Sequence, residues 1–170
     1  MSDFNTRYLS FCKPFIDAIR EVYSTMVTKE LKAGSPVFKE QSGNYADYSA
    51  LMGINGTLKN EEDDLQFKGS LVISWPLQTY LNTASTMLGE EYKEINDEIE
   101  DVGMEICNIT MGNAKKILNP LGYKIEMSIP NLISGDHHRV KSEDGVKTIV
   151  IPFTSDIGDL FIELNYKDSE

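Results

Sequence analysis

Three polar residues at spacings of four and three, Asp101, Glu105 and Asn108, form the part of this sequence best suited to chemistry. At about 100° per residue on a helix they fall within roughly 60° of arc, and Gly112 lies on the same line one turn further. A carboxylate on such a face can grip a cation such as a partner's lysine. A carboxamide carries both a donor and an acceptor, so it can hold a water in line with a phosphorus atom without being consumed. Phosphoryl transfer suits this pairing, because positioning of water and stabilisation of charge supply most of the rate. A glycine inside a helix costs about 1 kcal/mol relative to alanine. Close approach of a partner is one reason to tolerate that cost at Gly112, and helix packing is the other.

The element that must carry this face is a helix over residues 97–118. Asn96 or Asp97 can cap it, and Glu100 stands three residues after Asp97, as in a capping box. The acidic residues at its start suit the positive end of the helix dipole. Ile99, Val102, Ile106, Ile109 and Ile117 supply an apolar stripe about a third of a turn from the polar face, and Asn119-Pro-Leu-Gly122 ends it. An earlier helix is predicted over 8–26 from Phe11, Phe15, Ile19, Val22 and Met26. Pro14 marks either its start or a bend. A third helix is predicted over 77–88 after Pro76. Strands are expected at Val37–Lys39, Ala50–Leu58, Phe67–Trp75, Tyr123–Met127, Lys147–Phe153 and Leu160–Tyr166. The solvated connection Asn60–Asp64 and the polar segment Gly135–Gly145 lie between them.

This order repeats. Asp17-x-x-x-Glu21-x-x-Ser24 matches Asp101-x-x-x-Glu105-x-x-Asn108, and Gly69-Ser-Leu-Val-Ile73 matches Gly158-Asp-Leu-Phe-Ile162. Two helix-plus-three-strand units over roughly 8–89 and 94–166 would fill one domain, 1–170.

The stretch from Asp101 to Leu118 resembles the signature helix of the CheX/CheC chemotaxis phosphatases, whose pattern is Asp or Ser, then x-x-x-Glu-x-x-Asn. Pro14-Phe15-Ile16, Gly69-Ser-Leu-Val-Ile-Ser-Trp-Pro76, Met87-Leu-Gly-Glu90 and Gly135-Asp-His-His-Arg-Val140 resemble further landmarks of the family. The resemblance implies a pseudo-symmetric α/β (α+β) fold, with long helices on a mostly antiparallel sheet. It implies hydrolysis of the phosphoaspartate of a CheY-like response regulator. Glu105 would dock on the regulator's active-site lysine and Asn108 would orient the attacking water, with Asp101 and Gly112 at the docking face. It implies no cofactor of the chain's own, a magnesium ion belonging to the regulator, and a homodimer formed through the sheets. Ser24 stands where the first-half motif would need asparagine and is too short for that task, so the chain resembles the one-site members. The alternative is a non-catalytic module that binds regulators, as in the related flagellar-switch components.

Composition narrows the field. The 170 residues carry 16 Lys+Arg against 27 Asp+Glu, a net charge of −11. Such a chain is a poor binder of nucleic acid or anionic lipid. The charged first twenty residues do not read as a signal peptide, and no apolar run reaches the ~20 residues of a membrane span, so a cytoplasmic protein is expected. Cys12 and Cys107 form neither a disulfide framework nor a zinc pattern and read as buried apolar residues. His137 and His138 are adjacent, so on a strand they point to opposite faces and share no metal. Trp75 is expected in the core or on a dimer surface, and the acidic run from Glu90 to Asp101 is expected in solvent.

Overall fold

The computed structural model describes residues 3–38, 46–59, 64–138 and 146–169. Helix α1 runs Asp3–Val22 and widens into a π-helical turn at Tyr23–Val27. Phe11, Phe15, Ile19 and Val22 are buried, and Met26 packs partly buried against the core. Pro14 lies inside α1 without ending it. The carbonyl it leaves without an amide partner belongs to the exposed Ser10, where water can serve it. The π turn closes at Thr28, which takes a left-handed φ of 60° and donates its amide to the Tyr23 carbonyl.

Among the described residues, eight strands follow the helices in two groups. They are β1 Lys32–Ala33, β2 Val37–Phe38, β3 Ala46–Leu58 and β4 Leu65–Trp75, then β5 Tyr123–Met127, β6 Asn131–His138, β7 Lys147–Thr154 and β8 Leu160–Ser169. Each long helix thus precedes four strands rather than the expected three. The additions are the two-residue β1 and the strand β6, which are recognisable only from the partners they pair with. All pairs are antiparallel, in the order β1-β7-β8-β4-β3-β5. Ile73 and Ile162, from the two matched runs, face each other across the central β4–β8 pair. The glycines of those runs are not equivalent: Gly69 pairs within β4, whereas Gly158 sits in a turn at φ 125°. Strands β5 and β6 line successive stretches of β3, while β1 and β2 do the same along β7.

The core lies between one face of this sheet and the helices. Phe11 packs on Phe67, Tyr123 and Tyr166, and the Phe67 and Tyr166 rings stack at 5.1 Å. On the opposite sheet face Ser49, Ser74, Thr148 and Asn165 are buried as well. Ser49 bonds Ser74 at 2.8 Å, Asn165 donates to Ser70 at 2.7 Å, and Thr148 donates to Asn165. Trp75 is wholly buried in the core, which decides between the two places expected for it.

Helix α2, Leu77–Leu88, has the predicted bounds. Pro76 precedes it, Asp47 of β3 accepts the Leu77 amide at 2.7 Å, and Gly89 ends it at φ 72°. The helix expected over 97–118 is broken. It consists of α3, Asp97–Glu100, and α4, Val102–Leu118, which meet at Asp101. Residues 39–45, 60–63 and 139–145 lie outside the described set. With them fall Lys39, most of the Asn60–Asp64 connection and the end of the Gly135–Gly145 segment.

Candidate active site

The start of α3 is fixed by Asn96, whose side-chain oxygen accepts the amides of Glu98 at 3.0 Å and Ile99 at 3.2 Å. With Asn96 as the cap, the capping box of Asp97 and Glu100 does not form, because the third helical position is Ile99 rather than Glu100. Ile99, Val102, Ile106, Cys107, Met111, Ala114 and Leu118 face the core. The stripe therefore drifts from the expected line. Ile109 is half-buried and Ile117 is 39% exposed. At 3.6 residues per turn, the core-facing line near the helix end passes through Ala114 and Leu118.

Away from the core, Asp101, Glu105 and Asn108 are exposed and Gly112 is half-buried. Glu105 and Asn108 stand about 4.5 Å apart along the axis, less than one turn. Among the described residues, none of the three side chains takes part in a hydrogen bond or ion pair. Glu105 lies in the first turn of α4, near the positive end of its dipole. A Cβ placed on Gly112 would meet nothing within 4 Å, so packing within this chain does not require the glycine. The exposed residues Glu94, Asp97, Glu98 and Glu100 make the approach to this face acidic. Among the described residues, no group of three or more His, Cys, Asp and Glu side chains gathers as a metal site. Strand β6 includes His137 and His138, but their side chains lie outside the described set.

The break ahead of this face has an identifiable cause. In an unbroken helix the Gly103 amide would donate to the Ile99 carbonyl. Here it donates to the Tyr80 hydroxyl at 2.9 Å, and that hydroxyl lies 2.8 Å from the Ile99 carbonyl and 2.9 Å from that of Glu100. A side-chain hydroxyl has entered the hydrogen-bond ladder. Glycine leaves room at 103, where a Cβ would stand 3.0 Å from the Tyr80 ring and 3.2 Å from that of Trp75, so those rings would have to give way. Tyr80 in turn stacks on Tyr48 at 4.8 Å and meets Trp75 edge-on at 5.3 Å. Burial, more than any neighbour, pushes the phenol well above its ordinary range, so it remains a neutral donor. Sequence reasoning passed over Tyr80. The available signal was Gly103, a second costly glycine within the predicted helix.

The first-half copy is arranged differently. Asp17 pairs with Lys13 at 2.9 Å, while Glu21 and Ser24 are exposed. Ser24 lies in the π-helical turn, where the wider winding breaks the spacing that aligns α4. These residues line an open groove of about 520 Å³ with Arg20, Lys29 and Glu30. Cys12 and Cys107 are buried as expected, and burial pushes each thiol up to about 12. Neither is a nucleophile at neutral pH.

The protein-family model Chemotaxis phosphatase CheX matches residues 62–154, more than half of the chain. The chain belongs to the CheX family. The matched stretch contains Tyr80, Gly103 and all four positions from Asp101 to Gly112, but not α1. The CheY-P phosphatase CheX of Thermotoga maritima is 25% identical over 128 residues, covering 75% of this chain and 77% of its own. A chemotactic CheC-like protein from Shewanella oneidensis MR-1 superimposes with a TM-score of 0.81 at 34% identity, over 94% of this chain and 99% of that one. The CheX of a CheX–CheY–BeF3–Mg2+ complex from Borrelia burgdorferi gives a TM-score of 0.72 at 27% identity, over 94% and 98%. The expected fold, helices packed on an antiparallel sheet, is thus the one these CheX-like proteins share.

Proposed function

We propose that this CheX-family chain hydrolyses the phosphoaspartate of a CheY-like response regulator at the exposed face of α4. The observation that carries the reading is the state of Glu105 and Asn108. Both are exposed and without partners among the described residues, on a helix held rigidly by its other side. A polar pair kept free on an anchored helix is preorganised for another molecule. The Thermotoga relative named as a CheY-P phosphatase and the Borrelia CheX–CheY complex support the choice of partner.

In this reading Glu105 meets the regulator's active-site lysine and fixes the register of docking. The Asn108 carboxamide accepts a hydrogen bond from a water and turns its lone pair towards phosphorus. The water oxygen bonds to phosphorus as the aspartyl oxygen leaves, giving inorganic phosphate and a free carboxylate. Magnesium is the regulator's and supplies charge neutralisation on the phosphoryl group. Asp101 and Gly112 flank the contact, and Gly112 leaves room for close approach. A cytoplasmic homodimer joined through the sheets completes the proposal. Its support is the edge strand β5, which among the described residues pairs only with β3.

The test is the decay of a phosphorylated CheY-like regulator from the same genome, in magnesium, with the chain and with Asn108→Ala. Faster decay with the wild type alone is expected. Binding without any change in decay would replace hydrolysis by a docking role.

A further inference from the structure

The break between α3 and α4 falls at Asp101, the first residue of the proposed docking face, and it is made by a residue from another element. We propose that Tyr80 is a positioning residue for regulator docking, its hydroxyl holding α3 and α4 apart so that Asp101 and Glu105 stand in the geometry a regulator meets. The proposal rests on the phosphatase reading and deepens it. Three observations carry it. The hydroxyl takes the place of one rung of the helix, between the Gly103 amide and the Ile99 carbonyl. Its ring is clamped by Tyr48 and Trp75, and Trp75 is itself bonded through Nε1 to Tyr23 at 2.9 Å, so the wedge is backed by the core. Gly103 provides the room, as a Cβ there would stand 3.2 Å from the hydroxyl. Beyond the break, the Asp101 carbonyl accepts the Glu105 amide at 3.0 Å, so the backbone of Asp101 already belongs to the first turn of α4.

Removing the wedge allows the missing rung to close. In Tyr80→Phe the ring stacking remains, but the Gly103 amide is free to reach the Ile99 carbonyl. The two helices then merge, and the acidic turn of α3 rotates relative to Glu105. Docking suffers, whereas Asn108, nearly two turns into α4, keeps its place. The half-saturating concentration of phosphorylated regulator should rise roughly fivefold, which is about 1 kcal/mol of docking free energy. Turnover at saturation should stay within about twofold.

The experiment measures both parameters for the wild type, Tyr80→Phe and Asn108→Ala, with the backbone amide shifts of residues 99–105 followed by NMR. The expected result is a raised half-saturation and helical shifts across 100–103 in Tyr80→Phe, against lost turnover with unchanged half-saturation in Asn108→Ala. Gly103→Ala gives a second route, because its methyl crowds the Tyr80 ring and hydroxyl and should produce the same docking defect. A wild type that hydrolyses, with a Tyr80→Phe of equal half-saturation and altered thermal stability only, overturns the proposal and leaves the phosphatase reading standing. A wild type that neither binds nor hydrolyses overturns both.

Discussion

The indole N–H of Trp75 donates to the hydroxyl of Tyr23 across 2.9 Å, at a place where neither residue is exposed. Tyr23 opens the π-helical turn that ends α1, and its hydroxyl also bonds Thr83 of α2 at 2.9 Å. One phenol therefore joins the first helix, the end of β4 and α2. Tyr23→Phe leaves a buried indole N–H without an acceptor, at a cost of about 1–3 kcal/mol. Thermal unfolding should fall by about 2–4 °C for each kcal/mol in a chain of this size. Turnover at saturation should change little, because Asn108 is not touched, while half-saturation should shift in the same direction as in Tyr80→Phe, since Trp75 loses the bond that backs the Tyr80 ring.

Gly112→Ala separates folding from docking. The added methyl meets nothing within 4 Å, and alanine is the better helix former by about 1 kcal/mol. The melting temperature should rise while the half-saturating regulator concentration also rises, since the methyl occupies the space left for the partner. A variant that is more stable with unaltered docking would remove Gly112 from the interface.

Glu105→Gln keeps shape and removes charge. If Glu105 meets a lysine, the variant should bind the regulator more weakly, and its remaining affinity should depend less on salt than that of the wild type. Titrating sodium chloride against the half-saturating concentration gives both slopes directly. Equal slopes would argue against a charged partner at this position.

The buried thiols set an alkaline limit. Burial raises Cys12 and Cys107 from 9.0 to about 12, so the folded state keeps both protons while the unfolded chain releases them above 9.0. Their contribution to stability is fully present below pH 9 and is lost as the pH rises towards 12. The denaturant midpoint should fall across that window. At neutral pH a thiol reagent should modify the native chain slowly and the denatured chain at once.

Elements closed by local chemistry were readable from the sequence. Pro76 and Gly89 bracket α2 at its predicted ends, and the strands β5 and β7 lie close to where they were expected. That Asp101, Glu105 and Asn108 are exposed while the other side of the helix is buried also followed from spacing. The break at Asp101 did not, because its cause stands more than twenty residues away in Tyr80. Strand β1 escaped for a related reason: two residues carry no pattern, and only pairing with Thr154 and Phe153 makes them a strand. Ile117 was misplaced by extending an apolar line without the slow drift of a real helix against the core.

The strand order has a consequence for how the chain comes to be folded. Strands β5 and β6 complete the edge of β3, β1 and β2 complete the edge of β7, and the middle of the sheet joins residues about half the chain apart, such as Ile73 and Ile162. Each half lends its short strands to the other. A chain cut after Gly89 would expose bare strand edges along both β3 and β4, an invitation to self-association rather than a smaller working protein. The two halves would have to meet before either is complete. So large a share of distant pairings places folding in the slow range of milliseconds to seconds. Ancestral duplication, if it built this chain, has left two halves that are no longer separable parts.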